Sequence, residues 1–421
     1  MKAELVSSAG PAPLANYSEA FKVGHLVFAA GQLATDFRTG VPPEARVDPN
    51  FPYYGSDIKR QTKYILDNCR RTFEAADSSL DNIVKAQVYL RDMRDFAGFD
   101  EVWKEYFQNG LPTRTAVGTT DLLAAGPKEL LEIDLIGHTN DVKHEVISSG
   151  GPRPLANYTE AIKVGNLVFT AGQLANDFVS GVPAEATINP EFPYYGSEIK
   201  LQTRYILENL KRTLAAADSS LDNAVKAQVF LRDLADFNGF NEAWNEFFGE
   251  NPPAQTTVGT TELLASGPRQ LVEIDVIAHT NAITKKVVAS DGPRPVCRYA
   301  EAVVVDGLVF TSGQLATDFK TGIPEEARVN PAFPFYGSDV KLQTRYILGN
   351  LRKTLDAAGS SPAGIFKAHV FLTDLRNFSA YDEVWKQNLS VPLPSRTAVG
   401  TTGLLVKDAL VEIDVVAAVG D

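Results

Sequence analysis

The stretch "LPTRTAVGTT" at residues 111–120 returns as "PAQTTVGTT" at 253–261 and as "LPSRTAVGTT" at 393–402. Arg114, Gln255 and Arg396 hold the same place in these segments, at a spacing of 141 residues. A period of this length is far too long for a solenoid unit, so each copy is expected to be a complete domain. The middle copy keeps the surrounding residues but loses the cationic side chain, so the three copies are not expected to be equivalent.

Further segments repeat with the same step. The sequence "GQLATDFRTG" at residues 31–40 has counterparts at 172–181 and 313–322. The third copy is two residues shorter between "GTTGLL" and "ALVEID", where a hairpin turn can shorten cheaply. No long Ser/Gly linker separates the copies, so we expect them to pack against one another. The predicted domains are residues 1–141, 142–282 and 283–421.

The hydrophobic pattern within one copy alternates between strand and helix. In the first copy, "EAFKVGHLVFAAG" predicts two strands joined at Val23-Gly24, and "NIVKAQVYLRD", "RTAVGTT" and "ELLEIDLIGHT" predict three more. Two helices separate them, the first starting after Ser56 as N-cap. Their apolar positions are Ile58, Thr62, Ile65, Cys69 and Phe73 in the first helix and Phe99, Trp103 and Phe107 in the second. The order is ββαβαββ, an α+β fold with both helices on one face of the sheet.

The last strand indicates how the copies are arranged. Leu131, Ile133 and Leu135 point to one side, and Glu132 and Asp134 to the other, because successive side chains in a strand alternate. The apolar side is expected under the helices. The other face is expected to pack against a neighbouring copy, which predicts an intramolecular pseudo-trimer with helices outside and the sheets around a central barrel-like core.

Composition excludes several classes of function. The chain has 421 residues and a formal net charge of −12, which does not suit a nucleic-acid partner. We find no membrane-spanning apolar run and no signal peptide. The two cysteines, Cys69 and Cys297, lie at unrelated places in their repeats, and the five histidines show no ligand spacing, so we expect neither a disulfide framework nor a metal site. A reducing cytoplasm is the simplest location.

At this level of detail the chain resembles a known family. The segments "LVFAAGQLATDFRTG", "LDNIVKAQVYLRDMRDFAGFDEVW", "PTRTAVG" and "LLEIDLIGHT" are similar to the signature segments of the Rid (YjgF/UK114) family of reactive-intermediate deaminases, and the ordered set occurs three times. The resemblance implies a chorismate-mutase-like fold and ligand clefts between subunits of a trimer. One chain would correspond to such a trimer, and whether whole chains assemble further is left open.

The resemblance also implies an activity, the hydrolysis of a small carboxylated enamine or imine to a keto acid and ammonia, without metal or organic cofactor. The implied catalytic residues are Arg114 and Arg396, which would bind the substrate carboxylate, and Glu132 and Glu412, which would activate water or donate a proton. The implied substrate-binding residues are Tyr17, Tyr299, Gly31, Gly313, Ser312, Asp100 and Asp382. The middle copy would hold a degenerate site, made of Gln255, Glu273, Tyr158, Gly172 and Asn241.

Departures from the family pattern leave the substrate open. The family's cysteine after the arginine is Ala116, Thr257 and Ala398 here, and its helical asparagine is acidic in two copies. A 2-aminomuconate-type intermediate of aromatic catabolism is one candidate. A non-catalytic sensor of small molecules and an endoribonuclease are the alternative functions.

Each proposed role also has a purely structural alternative. The arginines could form ion pairs with Glu132 or Asp134 on the neighbouring strand, and the glutamates could merely hold the interface. The tyrosines could be core residues, and the glycines could mark a strand bend. We expect the aromatic residues of "FPYYG" to pin the long loop rather than to form a pocket lid.

Overall fold

The computed structural model describes residues 2–8, 10–11, 13–124, 126–152, 155–264, 269–294 and 297–420. Each copy contains seven strands and two α-helices within the described ranges. The first copy consists of β1 (Ala3–Val6), β2 (Ala20–Val23), β3 (Leu26–Ala29), β4 (Gln32–Leu33), α1 (Asp57–Ala75), β5 (Ser78–Leu90), α2 (Phe96–Tyr106), β6 (Thr113–Gly118) and β7 (Leu131–Thr139).

The other two copies repeat this order. The second consists of β8 (His144–Ile147), β9 (Ala161–Val164), β10 (Leu167–Thr170), β11 (Gln173–Leu174), α3 (Glu198–Ala216), β12 (Ala224–Leu231), α4 (Phe237–Phe247), β13 (Ala254–Gly259) and β14 (Val272–His279). The third consists of β15 (Lys286–Val288), β16 (Ala302–Val305), β17 (Leu308–Thr311), β18 (Gln314–Leu315), α5 (Asp339–Ala357), β19 (Ile365–Leu372), α6 (Phe378–Asn388), β20 (Ser395–Gly400) and β21 (Val411–Ala418). The predicted ββαβαββ core is confirmed, with an extra first strand and a two-residue strand in each copy.

One mixed sheet forms in each copy. In the first, the strand order is β1-β2-β3-β7-β5-β6, and β4 pairs with β7. Strands β5 and β6 are parallel, since α2 carries the chain back between them, and the other pairs are antiparallel. The three sheets of the described residues remain separate rather than closing into one barrel, and isolated bridges such as Val117 to Leu263 and Leu122 to Val399 connect neighbouring copies.

The helices lie on one face of each sheet, as predicted. The apolar positions of α1 and α2 are buried with Leu131, Ile133 and Leu135 of β7 in one cluster. Ser56 has the extended backbone of an N-cap, but its side chain makes no capping hydrogen bond. Asp57 instead accepts a hydrogen bond from the backbone N–H of Val47 at 2.6 Å, which ties the long loop to the start of α1.

The prediction that the "FPYYG" aromatics pin this loop is wrong. Phe51, Tyr53 and Tyr54 are 59%, 95% and 86% exposed, and the other two copies show the same pattern. Phe51 and Tyr54 pack edge-on against each other, with ring centroids 6.2 Å apart, instead of against the domain. The loop is held by hydrogen bonds, such as the one that Asp57 accepts, and not by the aromatic rings.

The inner faces of the three sheets meet in a shared apolar core. Its members come from all three copies and include Phe28, Phe169, Phe310, Ile136, Ile277 and Val416. Phe28 contacts Phe366 of the third copy, with ring centroids 4.8 Å apart. The predicted pseudo-trimer is therefore built around this core, with each copy touching the other two.

A buried polar layer accompanies the apolar core. Each copy contributes one lysine and one aspartate to ion pairs between copies: Lys85–Asp275 at 2.7 Å, Lys226–Asp414 at 3.1 Å and Lys367–Asp134 at 2.6 Å. Buried charges of this kind are tolerated only when paired and hydrogen-bonded. The prediction that Asp134 faces a neighbouring copy is confirmed. None of the described helices has the length and apolar character that crossing a membrane requires.

Candidate active site

The predicted site residues meet at three interfaces between the copies, and we call each of these interfaces a cleft, named after the residue at the arginine position. In the Arg114 cleft, the backbone N–H of Gly172 donates to the Arg114 carbonyl at 3.1 Å, and the Tyr158 ring lies 5.6 Å from the guanidinium. In the Arg396 cleft, Gly31 and Tyr17 make the same contacts at 3.3 and 5.6 Å. Each cleft thus joins the sixth strand of one copy to the glycine and tyrosine of the next copy.

The Gln255 cleft follows the same plan between the second and third copies. The backbone N–H of Gly313 donates to the Gln255 carbonyl at 3.1 Å, and the Gln255 N–H donates to the Ser312 hydroxyl at 2.8 Å. Tyr299 is half-buried near Glu412, and desolvation first and the Glu412 charge second raise the pKa of its phenol. Ser312 brings a hydroxyl group to this cleft, whereas Ala30 and Ala171 stand at the same position in the other two clefts.

This arrangement corrects the grouping of residues by copy. Glu273, Tyr158 and Gly172 of the middle copy do not share a cleft with Gln255, because they face Arg114 of the first copy. Glu132, Tyr17 and Gly31 face Arg396, while Gln255 faces Glu412, Tyr299 and Gly313. The residues expected to form one degenerate site are therefore divided between two clefts.

Each cleft arginine is deeply buried among rings. Arg114 is 2% exposed, and its guanidinium lies over Phe96, Phe99 and Trp103 at 5.1, 5.1 and 5.3 Å. Its nearest counter-charge is Asp100 of α2, at 2.7 Å. Burial lowers the pKa of Arg114, and the carboxylate of Asp100 opposes that shift.

Arg396 has the same environment in the third copy. It is 3% exposed and donates from Nη1 to Oδ1 of Asp382 at 2.7 Å, over the rings of Phe378 and Tyr381. The ion-pair partner of each arginine is thus an aspartate on the second helix of its own copy. It is not Glu132 or Asp134, which the structural alternative supposed. Within the described residues, Nη1 of Arg114 and Nη2 of Arg396 have no hydrogen-bond acceptor, whereas Nη2 of Arg114 is engaged in the ion pair with Asp100, so each guanidinium keeps one nitrogen for a ligand.

The glutamates of the last strands are buried acids. Burial is the main cause that raises the pKa of Glu132 to about 8, Asp134 adds to the rise, and Lys367 opposes it. Glu273 is raised to about 8 by burial and by Asp275. Glu412 is raised to about 8 by burial and by Asp414. At neutral pH these side chains are therefore largely un-ionised and can donate a proton.

The repeated glycines make room for these glutamates. A Cβ at Gly31 would stand 1.9 Å from Oε1 of Glu132, and one at Gly172 would stand 2.0 Å from Oε1 of Glu273. A Cβ at Gly313 would likewise stand 1.9 Å from Oε1 of Glu412. Close approach of the carboxyl group, rather than a strand bend, explains the glycine.

The tyrosines are half-buried side chains whose phenols stay protonated at neutral pH, so they are not bases. Burial raises the pKa of Tyr17, with Glu132 adding to the rise and Arg396 opposing it. Burial likewise raises the pKa of Tyr158 and of Tyr299. Their raised pKa values keep all three phenols protonated well above neutral pH.

Two cleft residues escaped the sequence reasoning. Asn16 donates from its amide to Asp382 at 2.5 Å, and Asn157 donates to Asp100 at 2.6 Å, each across the copy interface. They hold the aspartates that pair with the arginines. The repeats held a signal for these residues. Arg298 stands in the third copy where the others have Asn16 and Asn157, and Asn241 stands in the second copy where the others have Asp100 and Asp382, so the two positions differ together. No cluster of three or more His, Cys, Asp or Glu side chains in the described part of the chain could hold a metal ion.

Comparison with known proteins places relatives along each copy. The profile of the family described as Endoribonuclease L-PSP matches residues 7–139, 149–280 and 289–419. A RutC family protein of Pyrococcus horikoshii is 38% identical over 139 residues, covering 33% of this chain and 98% of its own. The 3-aminoacrylate deaminase RutC of Acinetobacter baylyi is 33% identical over 137 residues, covering 32% of this chain and 98% of its own. Among solved structures, RidA of Psychrobacter sp. is 32% identical, covers 32% of this chain and 98% of its own, and has a TM-score of 0.27.

Proposed function

Because the chain belongs to the Endoribonuclease L-PSP family in three tandem copies, we propose that it hydrolyses a reactive enamine or imine of a small carboxylated compound to a keto acid and ammonia. One observation carries the proposal: in two clefts, a buried carboxyl group with a pKa raised to about 8 shares the site with a buried arginine of the neighbouring copy. A relative 33% identical over one copy is named as a 3-aminoacrylate deaminase, which supports the reaction class.

The first step is proton transfer to carbon. In the Arg114 cleft, un-ionised Glu273 donates its proton to the β-carbon of the enamine, and the C=C electron pair forms the new C–H bond. The nitrogen lone pair then completes a C=N bond, which gives an iminium ion and leaves Glu273 as a carboxylate. Raising the pKa of this acid toward neutrality makes it an effective donor at physiological pH.

The second step is addition of water. The Glu273 carboxylate takes a proton from water as the oxygen bonds to the iminium carbon, and a carbinolamine results. Transfer of that proton to the amine nitrogen lets the C–N bond break, which releases ammonia, and the hydroxyl proton passes to the Glu273 carboxylate as the keto acid forms, so the acid is regenerated. The half-buried phenol of Tyr158 donates a hydrogen bond to the oxygen that develops. Glu132 and Tyr17 have the same roles in the Arg396 cleft.

The arginines bind the substrate carboxylate through the guanidinium nitrogens that lack an aligned acceptor. Asp100 and Asp382 already neutralise much of the positive charge, so we expect weaker carboxylate binding than an unpaired arginine would give. These aspartates, together with Ala116 and Ala398, leave room for a substrate other than 2-aminoacrylate, and a 2-aminomuconate-type acid of aromatic catabolism is the proposed alternative. A reducing, cytoplasmic location is proposed with this function, since Cys69 and Cys297 are both free.

A release assay tests the proposal. Ammonia and keto acid are measured after 2-aminoacrylate, or separately 2-aminomuconate, is generated enzymatically in the presence of the protein. We expect faster release than in buffer, and loss of the acceleration in the double variant Glu132→Gln/Glu273→Gln. The exposed Glu101→Gln, on α2, is the matched control. Saturable carboxylate binding without acceleration of either substrate would contradict the proposal and favour the sensor function.

A further inference from the structure

The three clefts of one chain provide an internal comparison at the position of the ion pair. Two clefts hold an arginine and an aspartate, Arg114 with Asp100 and Arg396 with Asp382. The third holds Gln255 in the strand, and Asn241 on α4 at the place that Asp100 has on α2. Both charged members of the pair have thus been replaced by their uncharged counterparts.

Replacing both members of the pair removes the positive and the negative charge together. Loss of the arginine alone would leave a poorly solvated carboxylate without its counter-charge, which is strongly destabilising. With Asn241 in place of the aspartate, that penalty is absent. The cleft is therefore a self-consistent neutral version of the other two, and its residues do not have the mismatched charge of a decayed anion site.

The cleft has more hydrogen-bonding groups than its charged counterparts. Thr257 stands where Ala116 and Ala398 stand elsewhere, and Ser312 replaces an alanine. Gln255 and Thr257 are two apart on β13, so their side chains share a face of the strand. Gln255 and Thr257 are 5% and 3% exposed.

Several of these groups lack a partner. Within the described residues, Nε2 of Gln255, Oγ1 of Thr257 and Oε2 of Glu412 are buried without a hydrogen bond. Buried polar atoms are nearly always satisfied, so such a set points to a molecule that completes it. Because burial raises the pKa of Glu412 to about 8, its carboxyl group is largely un-ionised at neutral pH and adds no net charge.

We propose that the Gln255 cleft binds an uncharged, hydrogen-bonding small molecule of the primary-amide class. An amide carbonyl accepts from the Gln255 amide, and its NH₂ group donates to the Thr257 hydroxyl or the Glu412 carboxyl. A carboxylate is disfavoured there because no buried guanidinium in the cleft offsets its desolvation. This cleft takes no part in the proposed deaminase reaction, so the two proposals succeed or fail independently.

Arg298 is the nearest rival source of positive charge. It occupies the position of Asn16 and Asn157 and is exposed. Its guanidinium donates to the carbonyl of Phe248 at 3.4 Å, just beyond the end of α4, where the helix dipole favours a cation. Anion binding through Arg298 is the competing outcome that the experiment must separate.

The experiment compares two probes of the same size, pyruvamide and pyruvate, in saturation titrations that give the number of sites per chain. We expect wild-type protein to bind one pyruvamide per chain. Gln255→Arg/Asn241→Asp should abolish that site, and Arg114→Gln/Asp100→Asn, combined with Ala116→Thr to supply the counterpart of the Thr257 hydroxyl, should raise the number to two. These paired exchanges keep charges matched, and Thr257→Val, which preserves shape, should weaken pyruvamide binding at least tenfold without changing the melting temperature.

Three results would overturn the proposal. The first is absence of saturable pyruvamide binding, and the second is a pyruvamide stoichiometry that neither paired exchange alters. The third is pyruvate binding at this cleft that Arg298→Asn removes, which would assign the site to an anion.

Discussion

Glu273 of the second copy and Arg114 of the first copy belong to the same cleft. Gly172 donates its backbone N–H to the Arg114 carbonyl, and the Glu273 carboxyl group packs against the same glycine. The Glu273 carboxyl group also accepts a hydrogen bond from the backbone N–H of Ala116, two residues beyond the arginine. The site is thus assembled from two repeats.

Gly31→Ala should disable the Arg396 cleft. The new methyl group would meet Oε1 of Glu132 at 1.9 Å, so the carboxyl group must move from its buried position. We expect the variant to retain about half of the deaminase turnover and to melt at a lower temperature, because overpacking typically costs about 1–3 kcal/mol. Gly110→Ala is the control, since nothing lies within 4 Å of a Cβ there. Full activity in Gly31→Ala would contradict the placement of Glu132.

Turnover should fall on the alkaline side with a pKa near 8. The un-ionised forms of Glu132 and Glu273 donate the proton, and their pKa values are raised to about 8. Above that pH, kcat/KM should drop about tenfold for each pH unit, provided that the substrate does not titrate there. A pH–rate profile that stays flat up to pH 10 would show that no buried acid of this pKa is required.

His369→Gln should remove a pH-dependent part of the stability. The two ring nitrogens lie 3.0 Å from Asp134 and Asp414, an arrangement that suits imidazolium because only the charged ring donates from both. Burial lowers the His369 pKa, but the two carboxylates outweigh it and the pKa is raised overall.

The sign of this effect follows from linkage. A raised folded-state pKa stabilises the protein fully below the unfolded-state value of about 6.5, and the contribution is lost as the pH rises through the folded-state pKa. Thermal melts should therefore show His369→Gln less stable than wild type at pH 5.5, with a gap that narrows at alkaline pH. Glutamine already stands at the equivalent positions 87 and 228, so the variant is expected to fold. A gap that is constant over this range would contradict the imidazolium.

The elements of each copy could be predicted because they rest on local periodicity. The apolar stripe of α1 and the alternation in β7 have spacings of helix and strand, and the structure buries them as expected. The period of 141 residues likewise indicated three tandem domains of the same fold.

The pairing of residues across copies could not be predicted. It depends on which neighbour each sheet edge meets, and no local pattern carries that direction. The partner of Arg114 also escaped prediction, because Asp100 lies on a helix whose angle to β6 is set by packing. The exposed Phe51, Tyr53 and Tyr54 show that aromatic composition alone does not determine burial.

The cross-repeat pairing is tested most directly by two double variants that differ only in which glutamate is changed. Arg114→Ala/Glu273→Gln disables one cleft twice, whereas Arg114→Ala/Glu132→Gln disables both arginine clefts. Each single Arg→Ala change should remove one cleft, since losing a charge-assisted contact costs about 1.5–3 kcal/mol, or roughly ten- to a hundredfold in affinity. It also leaves Asp100 or Asp382 without its counter-charge, so rates are compared at a temperature below the melting temperature of every variant. Exposed Arg94→Ala serves as the control for arginine loss.

The measurement is the rate of ammonia release from 2-aminoacrylate at a substrate concentration well below the KM, where a loss of affinity lowers the rate. We predict that Arg114→Ala/Glu273→Gln retains about half of the wild-type rate, as the single variants do, because effects within one site do not add while separate sites act independently. Arg114→Ala/Glu132→Gln should be nearly inactive. The reverse result, with activity surviving in Arg114→Ala/Glu132→Gln and lost in Arg114→Ala/Glu273→Gln, would place each site within a single repeat and contradict the account.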